Sequence, residues 1–262
     1  MKNSARPFLA AGLFAALLAP AFARIERNVE KTFTVAAAGK VRLETQGGEI
    51  RVQPGADGTV KITAREKIRA DSDKEADELL KKLELTFEQN GNDVTAVSKY
   101  EQRMSGIHFG SWPPVQVDFI VTVPAAFATD LHTSGGAITV GDLQGRVYAR
   151  TSGGAITLGQ IGAAVDAHTS GGGITLGGAK GEAKLATSGG NIAVGRVDGP
   201  AELATSGGSI KIDAVVGALK AHTSGGSIRA GVAGPLKDDC SLSTSGGSVR
   251  VSVDKAAAFR LD

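Results

Sequence analysis

The sequence predicts an all-β protein: a parallel β-solenoid of about 18 residues per coil, opened by an N-terminal β-rich cap with one short helix. Three observations carry this. Thr-Ser-Gly-Gly begins at Thr133, Thr151, Thr169, Thr187, Thr205, Thr223 and Thr244, in steps of 18 residues and a last step of 21. The residues around each copy alternate apolar and polar. The chain holds 36 glycines without a Gly-x-y period, which points to repeated turns and not to collagen. A fixed short period means one coil stacked on the last.

Aligning the copies on their threonine shows what each column does. Five residues on stand Ile138, Ile156, Ile174, Ile192, Ile210, Ile228 and Val249, and seven on stand Val140, Leu158, Leu176, Val194, Ile212, Ala230 and Val251. The column between them is polar or small: Thr139, Thr157, Thr175, Ala193, Lys211, Arg229 and Arg250. This is strand alternation, apolar inward and polar outward. A second strand precedes each threonine, with inward pairs Val147/Ala149, Val165/Ala167, Ala183/Leu185, Ala201/Leu203, Leu219/Ala221 and Cys240/Leu242. Each pair joins a larger and a smaller side chain, so core volume per coil stays roughly constant, as close packing requires. Coils in parallel register lie ~4.8 Å apart, so every column must suit itself above and below.

The Thr column continues the inward phase of its strand, and its hydroxyls are expected to cap turn backbone groups as an internal ladder. The Gly-Gly that follows is expected to supply positive φ. A second glycine column, Gly141, Gly159, Gly177, Gly195 and Gly231, closes the other strand.

Residues 1–23 read as an export signal: Lys2 and Arg6, an apolar core from Phe8 to Leu18, then the small-x-small site Ala21-Phe22-Ala23. Residues 24–130 form the cap. Within it "LETQGGEIRV", Leu43 to Val52, fits the repeat template as an outlying first coil. Around it lie strands Lys31–Val35, Val60–Arg65, Leu85–Glu88, Asp93–Ser98 and Val115–Val123. Ser72 and Glu75 make a capping box for a helix with Ala76, Leu79, Leu80 and Leu83 on one face. Residues 131–262 form the array, continuous with the cap as one structural domain. It ends on "AAAFRLD", an upstream strand without its Thr-Ser-Gly-Gly: either the last coil is left to pair with a partner, self-association included, or the sequence is short of its natural end.

The single cysteine, Cys240, sits in an inward column and reads as a small buried hydrophobe, with an intermolecular bridge as the alternative. The formal net charge of +2 and the export signal argue against nucleic acid. No transmembrane segment is expected in the mature chain, which is read as exported, to the periplasm or the cell surface.

The signal, the β-rich opening with one helix, the "VPAAFATDLHTSGG" entry and the serial TSGG-x-I/V coils resemble the bacterial domain-of-unknown-function family labelled "putative adhesin". The resemblance implies a right-handed parallel β-solenoid (a β-helix) in the cell envelope. Its label suggests adhesion and brings no catalytic residues. Some relatives sit near envelope-stress regulators, which implies a second kind of role.

Candidate sites follow from the columns. Lys211, Arg229 and Arg250 form a like-charge column, either a solvated edge or a contact for an anionic envelope glycan or lipid head group. His108, Phe109 and Trp112, stiffened by Pro113-Pro114, either pack the loop down or stack on a carbohydrate or partner. His132, His168 and His222 precede the motif, with His132 and His168 about 10 Å apart, too far to share a metal. They read as exposed side chains on a polar face. No cofactor or metal is expected. Lys184, Glu202 and Lys220 alternate in sign and read as register-setting pairs, while Asp166, Lys184 and Glu202 could be cast as a polysaccharide-cleaving face. The leading reading is a non-catalytic, adhesin-like scaffold that binds a glycan, envelope polymer or protein partner through its solenoid faces. The alternatives are an accessory of envelope-stress signalling acting through a periplasmic partner, and a polysaccharide-active β-helix enzyme.

Overall fold

The computed structural model describes residues 24–36, 38–101, 113–233 and 239–254. The signal-like segment, the loop with His108, Phe109 and Trp112, and the closing "AAAFRLD" lie outside the described residues.

The elements of the N-terminal part are β1 (Arg24–Thr34), β2 (Lys40–Thr45), β3 (Ile50–Pro54), β4 (Thr59–Arg69), α1 (Asp73–Leu80), β5 (Leu83–Asn90), β6 (Asp93–Tyr100) and β7 (Val115–Val123). The array follows with β8 (Ala128–Thr133), β9 (Ile138–Val140), β10 (Val147–Arg150), β11 (Ile156–Ile161), β12 (Val165–Thr169), β13 (Ile174–Ala179) and β14 (Ala183–Thr187). It continues with β15 (Ile192–Val197), β16 (Ala201–Thr205), β17 (Ile210–Val215), β18 (Leu219–Thr223), β19 (Ile228–Val232), β20 (Ser241–Thr244) and β21 (Val249–Val253). The strands assemble into one eleven-stranded sheet, β1-β4-β7-β3-β9-β11-β13-β15-β17-β19-β21, and one ten-stranded sheet, β5-β6-β2-β8-β10-β12-β14-β16-β18-β20. Each coil gives one strand to each sheet, and from β8 onward every pairing is parallel and follows the sequence columns, apart from a one-residue shift late in β17 and β19.

The inward columns are buried as the alternation requires. Val147/Ala149, Val165/Ala167, Ala183/Leu185, Ala201/Leu203 and Leu219/Ala221 all lie in one continuous core that runs from Val35 to Val232. A third inward column, Leu143, Ile161, Ala179, Val197, Val215 and Val232, is also buried, with neighbours stacked on one another. It lies beyond the bend at the second glycine column, where the two-residue alternation loses phase.

The threonine ladder forms as expected. Thr151 Oγ1 donates to the carbonyl of Gly136 in the preceding coil at 2.9 Å and accepts from the N–H of Gly154 at 3.3 Å. The same pair of bonds recurs from Thr133 to Thr244. The role of the glycines differs from the expectation. No glycine of a Thr-Ser-Gly-Gly copy has positive φ; among the described residues only Gly58, Gly91 and Gly217 do. The second glycine is there because coils touch: a Cβ on Gly154 would stand 2.0 Å from the Gly136 carbonyl oxygen. The second column behaves alike, since a Cβ on Gly195 would meet Gly177 O at 1.9 Å.

The N-terminal part corrects a second expectation. The Leu43–Val52 segment is a coil, β2 and β3, but it is not outermost. β6 and β7 stack on its outer side, and β8 and β9 on its inner side. Beyond β6 and β7 the ends are closed by antiparallel strands: β4 on β7 and β1 on β4 in one sheet, β5 on β6 in the other. Helix α1 joins these two edges. Ser72 Oγ accepts the Glu75 N–H at 3.3 Å, and Glu75 accepts the Asp71 N–H at 2.9 Å, so Glu75 reaches one residue further back than a capping box would place it. Ala76 is buried in a small second core with Ile68, Ala70, Tyr100 and Val115, against which Leu79, Leu80 and Leu83 pack partly buried. Asp118 on β7 pairs with Lys67 and accepts the Glu49 N–H at 3.0 Å. Burial pushes the nearby Glu66 carboxyl above the usual carboxylate range, against the opposing charge of Arg27.

At the other end the coil opens. Cys240 is half-buried against the core, less covered than its column predicts, because no described coil lies beyond it. Val249 and Val251 are 43% and 42% exposed, where Ile228 and Ala230 one coil earlier are each at 1%.

Two substitutions test this packing. Gly172→Ala places a Cβ 2.1 Å from the Gly154 carbonyl oxygen, whereas Gly171→Ala meets its nearest atom at 3.3 Å. Urea unfolding should show a loss of about 3 kcal/mol for Gly172→Ala and about 1 kcal/mol or less for Gly171→Ala. The Thr129 hydroxyl is buried without a hydrogen bond, in a column where its register partners are Val41 and Val147. Thr129→Val should therefore raise stability by about 1 kcal/mol, read in the same assay.

Candidate binding faces

Turns this short leave the outward columns as open faces, and two of them gather polar side chains. On the eleven-stranded sheet, Lys211, Arg229 and Arg250 are direct register partners on β17, β19 and β21. All three are exposed. Lys211 pairs with Asp213 at 2.8 Å, while Arg229 and Arg250 make no ion pair among the described residues. The sequence columns thus brought these three together correctly.

Beside them runs a ladder that the sequence reading did not single out. The Ser209 N–H donates to Asn191 Oδ1 at 2.7 Å, Ser227 N–H to Ser209 Oγ at 3.2 Å, and Ser248 N–H to Ser227 Oγ at 3.2 Å. Its signal was present: Asn191, Ser209, Ser227 and Ser248 fill the position before the inward isoleucine or valine, two residues from the basic column. Serines and cations together line a shallow groove of about 190 Å³. Ser209 and Ser227 oxygens accept backbone N–H groups, Ser248 Oγ donates to Ser227 Oγ at 3.4 Å, and this row of hydroxyls runs beside the three cations. That combination matches the oxygens of an anion.

On the ten-stranded sheet a connected network spans β6, β2, β8, β10 and β12. Lys99 meets Glu44 at 3.9 Å, Glu44 meets Arg42 at 3.4 Å, and Arg42 meets Asp130 at 3.3 Å. Asp130 meets His132 Nε2 at 2.6 Å. The His132 and Tyr148 rings lie 5.5 Å apart, Arg150 stands 4.7 Å over the Tyr148 ring and bonds its hydroxyl, and Arg150 reaches Asp166 at 3.7 Å.

This network corrects the reading of the histidines as simply exposed. His132 and His168 are half-buried in the column of Arg150, and only His222 is exposed. The alternating Lys184, Glu202 and Lys220 are register partners, but Lys184 pairs with Glu182, just before its strand, at 3.2 Å, and Glu202 makes no ion pair among the described residues. A residue two positions away along the chain thus takes the place of the neighbour across the ladder. Asp166, Lys184 and Glu202 are successive register partners on β12, β14 and β16, with Asp166 at Arg150 and Lys184 at Glu182. Among the described residues no group of three or more His, Cys, Asp or Glu is placed to hold a metal, and no helix is long and apolar enough to cross a membrane.

These features define a class: a parallel β-solenoid with minimal turns, whose chemistry lies on flat strand faces. The chain belongs to the Toastrack DUF4097 family, whose profile matches residues 38–262. The fold is shared with a crystal structure of a "putative adhesin" from Bacteroides fragilis NCTC 9343, at TM-score 0.54 and 16% identity, over 86% of this chain and 97% of that one. A "putative adhesin" from Parabacteroides distasonis ATCC 8503 aligns at TM-score 0.43 and 15% identity, over 86% of this chain and 97% of that one. At 16% identity the likeness to the first is one of fold alone. No curated protein matches the sequence.

The stacking of like charges yields a stability test. Arg229→Ser removes a cation flanked by two others, so at low salt the protein should gain about 0.5 kcal/mol, a gain that closes at ~1 M salt. Thermal or urea unfolding at the two ionic strengths reads both.

Proposed function

We propose that this protein is a non-catalytic scaffold of the cell envelope, exported behind the N-terminal signal, which binds an anionic envelope polymer or surface through its solenoid face. The observation that carries the reading is the in-register column Lys211, Arg229 and Arg250 with its serine ladder. Stacked like charges oppose folding, and a matching anion turns that repulsion into attraction. The description of the Bacteroides fragilis neighbour as an adhesin agrees with a binding role. A protein partner is the second reading, favoured by the exposed Val249 and Val251 on β21, the last strand of its sheet among the described residues. That reading accommodates an accessory role in envelope-stress signalling and self-association through the last coil.

The test is binding to phosphatidylglycerol vesicles and to immobilised heparin, measured against salt. The variant Lys211→Ala/Arg229→Ala/Arg250→Ala should bind roughly tenfold more weakly at low ionic strength and show a shallower salt dependence, with the difference closing near ~1 M salt. Loss on vesicles alone assigns the face to lipid head groups, and loss on heparin alone assigns it to an acidic glycan. Equal binding by the two proteins on both probes removes the column from the contact.

A further inference from the structure

The outer face of the ten-stranded sheet has a cleft that owes its existence to one small residue. Ala128 opens β8, between the longer side chains of Lys40 on one neighbouring coil and Arg146 on the other. Lys40 is its register partner, and the Arg146 carbonyl accepts the N–H of Thr129. The result is a depression of about 510 Å³, walled by Lys40 and Arg42 on one side and by Arg146 and Tyr148 on the other. That volume falls within the ~300–1,000 Å³ of small-ligand sites.

Its charges are unbalanced in a defined way. Asp130 is taken up by Arg42 and His132, and Asp166 faces Arg150. Lys40 and Arg146 make no ion pair among the described residues, so the cleft offers two cations to an incoming anion. Tyr148 adds an aromatic ring, held in place by Arg150 and next to His132. Beyond His132 a second cleft of about 410 Å³ is lined by Gln46, Ser134, Ser152 and Ser170, and His132 belongs to both. An anion site, an aromatic face and an adjoining row of hydroxyl and amide groups occur in sequence along one face.

From this juxtaposition we infer that the face formed by β2, β8 and β10 is a binding site for an acidic saccharide chain. One sugar ring lies against Tyr148 with its carboxylate at Lys40 and Arg146, and the next unit crosses His132 to the serine row. Aromatic rings match the apolar face of a pyranose, and paired cations match a carboxylate. The ion-pair network from Lys99 to Asp166 holds Arg42 and, through Arg150, Tyr148 before the ligand arrives, which leaves Lys40 and Arg146 to be ordered on binding. The site stands on residues separate from the basic column of the other sheet, so neither depends on the other.

The experiment titrates full-length mature protein, labelled with ¹⁵N, with trigalacturonate and with the neutral trimer galactotriose. Amide shifts are expected at β2, β8 and β10 with trigalacturonate only. Calorimetry should show at least tenfold weaker binding for Lys40→Ala/Arg146→Ala, and a comparable loss for Tyr148→Ala. Ala128→Leu, which fills the depression without touching a charge, should lose binding while keeping the circular dichroism spectrum. The triple alanine variant of Lys211, Arg229 and Arg250 should bind as the parent does. Shifts confined to β17, β19 and β21 would assign the sugar to the other face and overturn the inference. Equal shifts with the neutral trimer, or no shifts at all, would overturn it as well.

Discussion

One carbonyl group per coil governs how this protein is built. The oxygen of the second motif glycine receives the threonine hydroxyl of the next coil, and the next coil's own second glycine packs its Cα against the same oxygen. Threonine and glycine, three residues apart, thus act on one atom of the coil below. The hydroxyl satisfies an acceptor that would otherwise be buried unpaired, and the missing side chain lets the coils approach closely enough for that bond to form. Neither residue has its effect without the other, which explains why the two recur together. The serine between them joins the same stack: the Ser134 carbonyl accepts both the Ser152 and the Gly153 N–H, at 3.1 and 3.0 Å. The turns are therefore hydrogen-bonded from coil to coil as the strands are.

The sequence made the repeat legible because each column is stacked on itself. Ile138 through Val249, the threonines and the paired larger and smaller residues of the other sheet could be assigned by counting. Reading failed where a property depends on something other than the column. The third inward row, Leu143 to Val232, lies past a bend that resets the alternation, and between β17 and β19 it slips by one residue. Glycine was read as a φ requirement because a sequence does not display the backbone of the next coil. The place of β2 and β3 inside the stack was hidden as well, since the order of coils in space departs there from their order in the chain.

The two faces divide in the same way. Lys211, Arg229 and Arg250 share one column and were found. The cleft over Ala128 is assembled from four coils, and the bond between Arg42 and Asp130 joins residues 88 positions apart. Its defining feature is a small residue between long ones, which is inconspicuous in a chain rich in alanine. The face with the basic column has like charges stacked and exposed, whereas the face with the cleft has opposite charges interlocked and half-buried. The first is suited to broad attraction of an extended surface, the second to holding a ligand in one orientation.

The coil made by β2 and β3 sets an order of events for the chain as it emerges, N-terminus first. Its outer neighbours come from residues 93–123 and its inner neighbours from residues 128–140. Until about residue 140 is available, both edges of that coil and its inward Val41, Leu43, Ile50 and Val52 lack their native cover. From there on each coil finds its template complete in the one just before it, 18 residues back and, for the last coil, 21. Assembly thus has one long-range, all-at-once stage followed by a processive one, and the first stage is where a nascent chain most needs protection from other copies of itself.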